Sequence, residues 1–265
     1  MKLIKLVLLV ALILPGSSSQ AQVRLYLWAW DRAEDLRWVA SGVGVAYFAA
    51  QLDARDRALI AIWRKAPLRV RPDTSLLPVL HVEGFARHVP RTLDEAAVEL
   101  WAQALVDAAR RTGSRAFQID FEARSSQKEF YAHVLQRVRQ QLPEDWISIT
   151  ALASWCGERA WLARLPVDEI VPMYFRMGPA ERQLWHARLA APATLPARCR
   201  QAAGFATDEA GHADLSSTAD FHEYLFSPRA WRPAMLEPYL SLYPVPSSGL
   251  HYPASNPSFQ GVVLP

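Results

Sequence analysis

The chain has 265 residues, 51% hydrophobic and 21% charged, which is ample for a buried core and excludes a disordered, low-hydrophobicity segment. Twenty-nine Lys and Arg face 26 Asp and Glu. Setting aside Lys2 and Lys5 of the leader lowers the net charge from +3 to +1, so charge gives no argument for a nucleic-acid or membrane-surface partner.

Lys2 and Lys5 precede an unbroken apolar run, Leu6 to Leu14, which Pro15-Gly16 and Ser17 to Ser19 break. Ser19-Gln20-Ala21 fits a small-residue cleavage site, so residues 1–21 read as a signal peptide. The run is too short for a spanning anchor, and no cysteine follows it to carry a lipid. The expectation is export to the periplasm or beyond the cell, with a mature chain from Gln22 and no stable membrane insertion.

Leu25 to Trp30 is the first expected strand, followed by Asp31 and an amphipathic piece, Glu34 to Val39. Val43 to Phe48 is the second. Ala58 to Trp63 and Leu68 to Arg71 read as a hairpin inserted before the third core strand, Leu77 to Val82, which runs into Glu83-Gly84. Leu93 to Arg111 carries apolar residues at helical spacing, with Asp94 and Glu95 in its first turn and Gly113 at its end. The strand around Gln118 comes next, then a helix from Ser125 to Gln141 stopped by Pro143. Trp146 to Ala153 and Val167 to Phe175 are strands, Pro179 to Leu189 a helix, and Ala202 to Ala206 a short strand. The piece Phe221 to Leu225 leads to the last expected strand, Tyr239 to Tyr243, and a Pro- and Ser-rich irregular tail.

Eight core strands separated mostly by helices imply a parallel sheet. Over residues 22–265 this count fits a single (β/α)8 barrel of the TIM type, with an open doubly wound sheet as the competing arrangement. Trp28-Ala29-Trp30-Asp31 holds no glycine, which argues against a phosphate-binding loop after the first strand. Cys156 follows one strand and Cys199 precedes another, so they are expected at opposite ends of the domain. That favours two buried thiols over a disulfide.

The most informative segment is Phe117 to Ala123. Alternation puts Gln118, Asp120 and Glu122 on one face, and carboxylates on the inward face of a buried strand are costly unless they are used. In a parallel barrel the chemistry collects at the C-terminal strand ends. Those ends here offer Trp30 and Asp31, His81 and Glu83, Asp120 and Glu122, Trp155, Tyr174 and Arg176, and Tyr243. Aromatic rings stack on sugar faces and carboxylates bind hydroxyls, so a carbohydrate is the expected partner. Glu122 is the candidate general acid, with Asp120 holding its proton and Tyr174 donating to developing charge. Arg176 is expected to pair with Glu122 or Asp120. Trp30, Asp31, His81, Glu83, Gln118, Trp155, Arg176 and Tyr243 are the expected substrate-binding residues. His81 and Glu83 lack further ligands at metal spacing, so no metal and no cofactor is expected. There is no Gly-x-Ser-x-Gly elbow, and Ser154 has no evident base.

Four stretches, Leu27 to Leu36, Gln118 to Ala123, Ser148 to Cys156 and Leu165 to Gly178, resemble a bacterial family of uncharacterised proteins, domain of unknown function 3142. That resemblance implies an exported protein and supplies no activity. More distantly, Gln118-Ile119-Asp120-Phe121-Glu122 is similar to the end of the Asp-x-Asp-x-Glu signature of chitinase-like family 18 glycoside hydrolases. It implies Glu122 as acid and Asp120 as the residue orienting an acetamido group, in a retaining, substrate-assisted mechanism. Gln118 and Arg115 stand where that family has aspartates, and Tyr243 where it has a tryptophan. The expected function is an exported glycoside hydrolase-like protein. The alternative is a barrel that binds carbohydrate without cleaving it.

Overall fold

Apolar alternation along nearly every core strand has one outcome: a ring of strands with one face inward and the other under helices. The computed structural model describes residues 23–55, 58–83, 93–209 and 221–240, and the backbone alone of 262–264. The strands are β1 (Leu25–Ala29), β2 (Glu34–Asp35), β3 (Val43–Arg55), β4 (Ala58–Trp63), β5 (Leu68–Val70) and β6 (Leu76–Glu83). They continue with β7 (Ala116–Asp120), β8 (Trp146–Leu152), β9 (Glu169–Met173), β10 (Ala202–Ala206), β11 (His222–Phe226) and β12 (Val262–Leu264). The helices are α1 (Glu95–Thr112), α2 (Lys128–Gln141), α3 (Arg159–Arg164), α4 (Pro179–Leu189) and α5 (Pro233–Leu240).

Eight strands, in the order β1-β3-β6-β7-β8-β9-β10-β11, close back onto β1. All pair in parallel, so the chain is a closed (β/α)8 barrel of the TIM type. The long α1 has an Asp94 cap that accepts the Ala97 N–H at 3.2 Å, and it ends at Gly113 with φ of 72°. Its buried stripe, including Val98, Trp101 and Leu105, packs on the outer barrel face.

The inner face carries a second cluster, with Trp28, Val79, Val171 and Tyr224 at its centre. Two large rings fit there because two positions lack a side chain. A Cβ on Gly44 would lie 2.4 Å from the Tyr26 ring, and one on Gly204 would lie 2.7 Å from Trp28 Cη2.

Three expectations need correction. The closing strand is His222–Phe226, and Tyr239 lies in α5, which Pro233 opens. His222, Tyr224 and Phe226 supply the inward alternation that the Tyr239 to Tyr243 pattern only imitated; Tyr243 lies outside the described residues, as does the expected signal peptide, residues 1–21. Ala58–Trp63 does not pair with Leu68–Val70. It folds back antiparallel on β3, while β5 joins β2 and β12 in a separate sheet. Finally, Cys156 and Cys199 form a disulfide, with Cα atoms 6.1 Å apart. The short turn after β8 and the short turn before β10 both pack against β9, a strand of only five residues, so "after" and "before" a strand meet.

Candidate active site

At the C-terminal end of the barrel the side chains leave a pocket of about 230 Å³. Its walls combine aromatic rings (Trp28, Trp30, Phe175 and Phe226) with a polar edge formed by His81, Asp120, Glu122 and Thr150. Val79, Met173 and Arg176 complete the lining.

The polar edge is built by register. His81 on β6 faces Asp120 on β7, and Thr150 on β8 lies on the other side of Asp120. Asp120 is 7% exposed and both of its oxygens are engaged: Oδ1 accepts from the Thr150 hydroxyl at 2.6 Å, and Oδ2 lies 2.8 Å from His81 Nδ1. The other ring nitrogen of His81 meets Glu83 Oε2 at 3.1 Å. Burial by itself would lower the pKa of His81. The hydrogen bonds and charges of Asp120 and Glu83 outweigh that and raise it to about 9, so the ring is an imidazolium at neutral pH.

Glu122, two residues beyond Asp120, stands exposed at the rim and makes no hydrogen bond or ion pair among the described residues. Partial burial in the pocket mouth, followed by the charge of Asp120, pushes its pKa upward. Glu83 adds to this, and His81 opposes it. The mouth therefore holds a carboxyl that keeps its proton longer than usual, beside one fully committed to its partners.

Below the pocket a second polar set crosses the barrel. Trp28 Nε1 donates to Gln118 Oε1 at 2.8 Å, and Gln118 Nε2 donates to Ser148 Oγ at 3.0 Å. Ser148 donates in turn to Glu169 Oε2 at 2.7 Å. The same carboxylate accepts from Tyr224 at 2.8 Å and meets His222 Nδ1 at 2.5 Å. This chain ties the Trp28 indole in place as the pocket floor, with Tyr224 stacked beneath it at 5.3 Å.

Trp30, His81, Asp120, Glu122 and Arg176 thus meet at one pocket, and Glu83 joins through His81. Gln118 sits one layer lower and touches Trp28 instead of the cavity. Asp31 is exposed and accepts the Ala66 N–H at 3.2 Å. Trp155 and Tyr174 do not reach the pocket. The turn Ala153–Gly157 breaks the alternation of β8, and Trp155 is buried in the outer layer against Trp161 and Tyr131. Inward parity on β9 belongs to Val171 and Met173 and passes to Phe175, so Tyr174 points outward between Trp185 and Phe205. Its hydroxyl lies 3.9 Å from Cys156 Sγ.

Arg176 reaches the pocket only because its backbone turns left-handed there, with φ of 57°. It does not pair with Glu122 or Asp120. Glu209 accepts both its backbone N–H and its guanidinium at 2.9 Å, and Asp208 takes the other guanidinium edge at 2.9 Å.

Six lining residues, Trp28, Val79, Thr150, Met173, Phe175 and Phe226, were not among the expected site residues. Trp28 shares inward parity with Trp30, Val79 with His81 and Thr150 with Ser148 and Ser154, and that was the usable signal; Phe226 lies on β11, which was not counted among the expected core strands. Met173 and Phe175 share the inward parity of Val171, although Phe175 lies past the end of β9. Among the described residues no group of His, Cys, Asp and Glu is arranged to hold a metal ion, and no helix is long and apolar enough to cross a membrane. No protein-family model matches the chain, and no curated protein matches it.

Proposed function

We propose that this protein is an exported glycoside hydrolase that acts on an oligo- or polysaccharide with Glu122 as general acid. One observation carries the reading: a carboxyl of raised pKa, with no partner among the described residues, stands at the rim of an aromatic-walled pocket, next to a second carboxylate that is fixed by Thr150 and His81. A general acid must hold its proton and present it to the leaving oxygen, and Glu122 stands at the pocket rim with its pKa displaced upward, the direction that role needs. Asp120 cannot be the proton holder expected from the sequence, because both of its oxygens are already engaged. Its role is electrostatic: it keeps the Glu122 proton in place and offers negative charge to a sugar ring that becomes oxocarbenium-like. Trp28, Trp30, Phe175 and Phe226 provide the faces on which such a ring stacks.

The test is hydrolysis of a panel of chitin fragments, peptidoglycan and exopolysaccharides by the mature chain and by Glu122→Gln, with products identified by mass. The variant keeps the shape and loses the transferable proton, so turnover is expected to fall by about 10²–10⁴-fold. Undiminished turnover in the variant rules out the assignment.

A second reading has its own support. The committed state of Asp120 also suits a barrel that binds a glycan and has lost its chemistry. It predicts glycan binding with no cleavage by either protein.

A further inference from the structure

Trp30 lines the pocket from a place where the strand ladder no longer holds it. The pairing of β1 with β3 ends at Ala29, and that with β11 at Trp28. The Trp30 ring nevertheless packs edge-on against Phe48 at 5.7 Å, His81 at 5.4 Å and Phe226 at 6.3 Å. Backbone carbonyls beyond the end of a ladder need donors from elsewhere. Here one side chain supplies them.

Arg64, the residue after β4, is 6% exposed. Its Nη1 donates to Trp30 O at 2.7 Å and lies 3.2 Å from Ala29 O and 3.4 Å from Phe48 O. Nη2 donates to Arg32 O at 2.6 Å, and Nε to Ala66 O at 2.7 Å. The Arg64 backbone N–H donates to Ala49 O at 2.9 Å, where the register of β3 shifts between Phe48 and Ala50. The guanidinium thus fills a nest of main-chain carbonyls drawn from the exit of β1, the irregularity in β3 and the turn after β4. Asp31, expected to bind substrate, closes the same turn by accepting the Ala66 N–H.

A buried cation is costly, and burial draws the Arg64 pKa down while the charges of Asp31 and Glu34 oppose that. The fork geometry is what the nest uses, because three donors on one ammonium nitrogen cannot serve carbonyls on every side. We propose that Arg64 is a positioning residue of the pocket, fixing the β1 exit so that Trp30 stands as a wall before any ligand arrives. Its consequence for binding rests on the glycosidase reading of the same site. A wall already in place loses less freedom when a sugar stacks on it.

The experiment labels the mature chain with 5-fluorotryptophan, assigns the Trp30 line through Trp30→Phe, and compares wild type with Arg64→Lys by ¹⁹F NMR. Calorimetry with chitotetraose and cellotetraose covers wild type, Arg64→Lys, Trp30→Ala and the double variant. The expected result is a Trp30 line that shifts or broadens in Arg64→Lys, while the lines of Trp101 and Trp185 in the outer layer stay in place. Affinity should fall about tenfold in each single variant and no further in the double one, the mark of residues acting as a unit. An unmoved Trp30 line, equal changes in all tryptophan lines, or losses that multiply in the double variant overturn the inference. If neither oligosaccharide binds wild type, the glycosidase reading loses its support and the Trp30 line alone decides the role of Arg64. Should Arg64→Lys fail to fold, ¹⁵N spectra of wild type decide instead: the guanidinium should show resolved Nη lines with slowly exchanging protons, and a freely rotating, fast-exchanging group overturns the inference.

Discussion

Replacing His81 by Gln tests the electrostatic frame of the pocket, because Gln keeps a hydrogen-bond donor near Asp120 and removes the charge. In the folded protein the imidazole pKa rises from 6.5 to about 9, the pull of Asp120 and Glu83 exceeding the opposing effect of burial. The side chain is 25% exposed, so solvent screening does not cancel the effect. At about 1.4 kcal/mol for each pH unit, that displacement is worth about 3 kcal/mol of stability. The sign follows from the folded value lying above the unfolded one. Protonated His81 stabilises the fold fully below about pH 6.5, and the contribution disappears as pH rises through about 9.

The assay is urea unfolding of wild type and His81→Gln at several pH values, taking the difference so that other titrating groups cancel. The stability gap between the two proteins should shrink by about 3 kcal/mol between pH 5 and pH 10. What is left at high pH reports the packing of the ring against Trp30 and Phe48. A gap that does not change with pH would refute the reasoning. An imidazole titration midpoint near 6.5 by NMR would refute it independently.

Three further outcomes are expected. If Glu122 is the acid, activity falls on the alkaline side as it loses its proton, and Glu83→Gln should move that limb to lower pH because a charge that raises the Glu122 pKa is gone. A limb that stays in place would detach Glu83 from the site. Gly204→Ala places a Cβ 2.7 Å from Trp28 Cη2, so the indole must shift from Gln118, costing about 1–3 kcal/mol in denaturant and weakening glycan affinity. Wild-type stability and affinity in that variant would show that the floor is soft. The Cys156–Cys199 bridge spans 43 residues, and its loss in the double Ser variant should cost about 4 kcal/mol, read as a lower unfolding midpoint. Alkylation of both thiols without a reductant would show that the bridge is absent.

The barrel was legible because alternation survives wherever a strand is long and paired on both sides. His81 on β6 and Asp120 on β7 came from that rule, and it still held for Glu122, two residues past the end of β7. The rule fails where strands stop. Trp155 lies in a short helical turn and Tyr174 follows the last residue of β9, and both share parity with outward residues, Ile149 and Ala151 for one and Ile170 for the other; nearness to a strand end suggested them where alternation did not. Arg176 was placed at the pocket by a parity that its left-handed backbone had already broken. The disulfide was hidden for a related reason. Position relative to a strand gives height along the barrel axis only if the connecting turn continues upward, and here two turns close over the same short strand.

Inward polar residues on a barrel strand invite a functional reading, yet here they divide into two sets with opposite logic. In the lower set every direction is forced. Trp28 can only donate, so Gln118 must turn its oxygen toward the indole and its amide nitrogen toward Ser148, whose proton must then go to Glu169. The chain ends on a carboxylate that also accepts from Tyr224, leaving nothing free to react. Such a network fixes a core and, through Trp28, a binding surface. In the upper set Asp120 is held between Thr150 and His81, while Glu122 has no partner among the described residues. Partial desolvation at the pocket mouth and the neighbouring charge of Asp120 both disfavour the ionised form of Glu122, so its pKa rises. Glu122, the carboxyl without a partner among the described residues, is therefore the one whose pKa is displaced in the direction of an acid, and Gln118, four residues earlier, fixes the Trp28 platform.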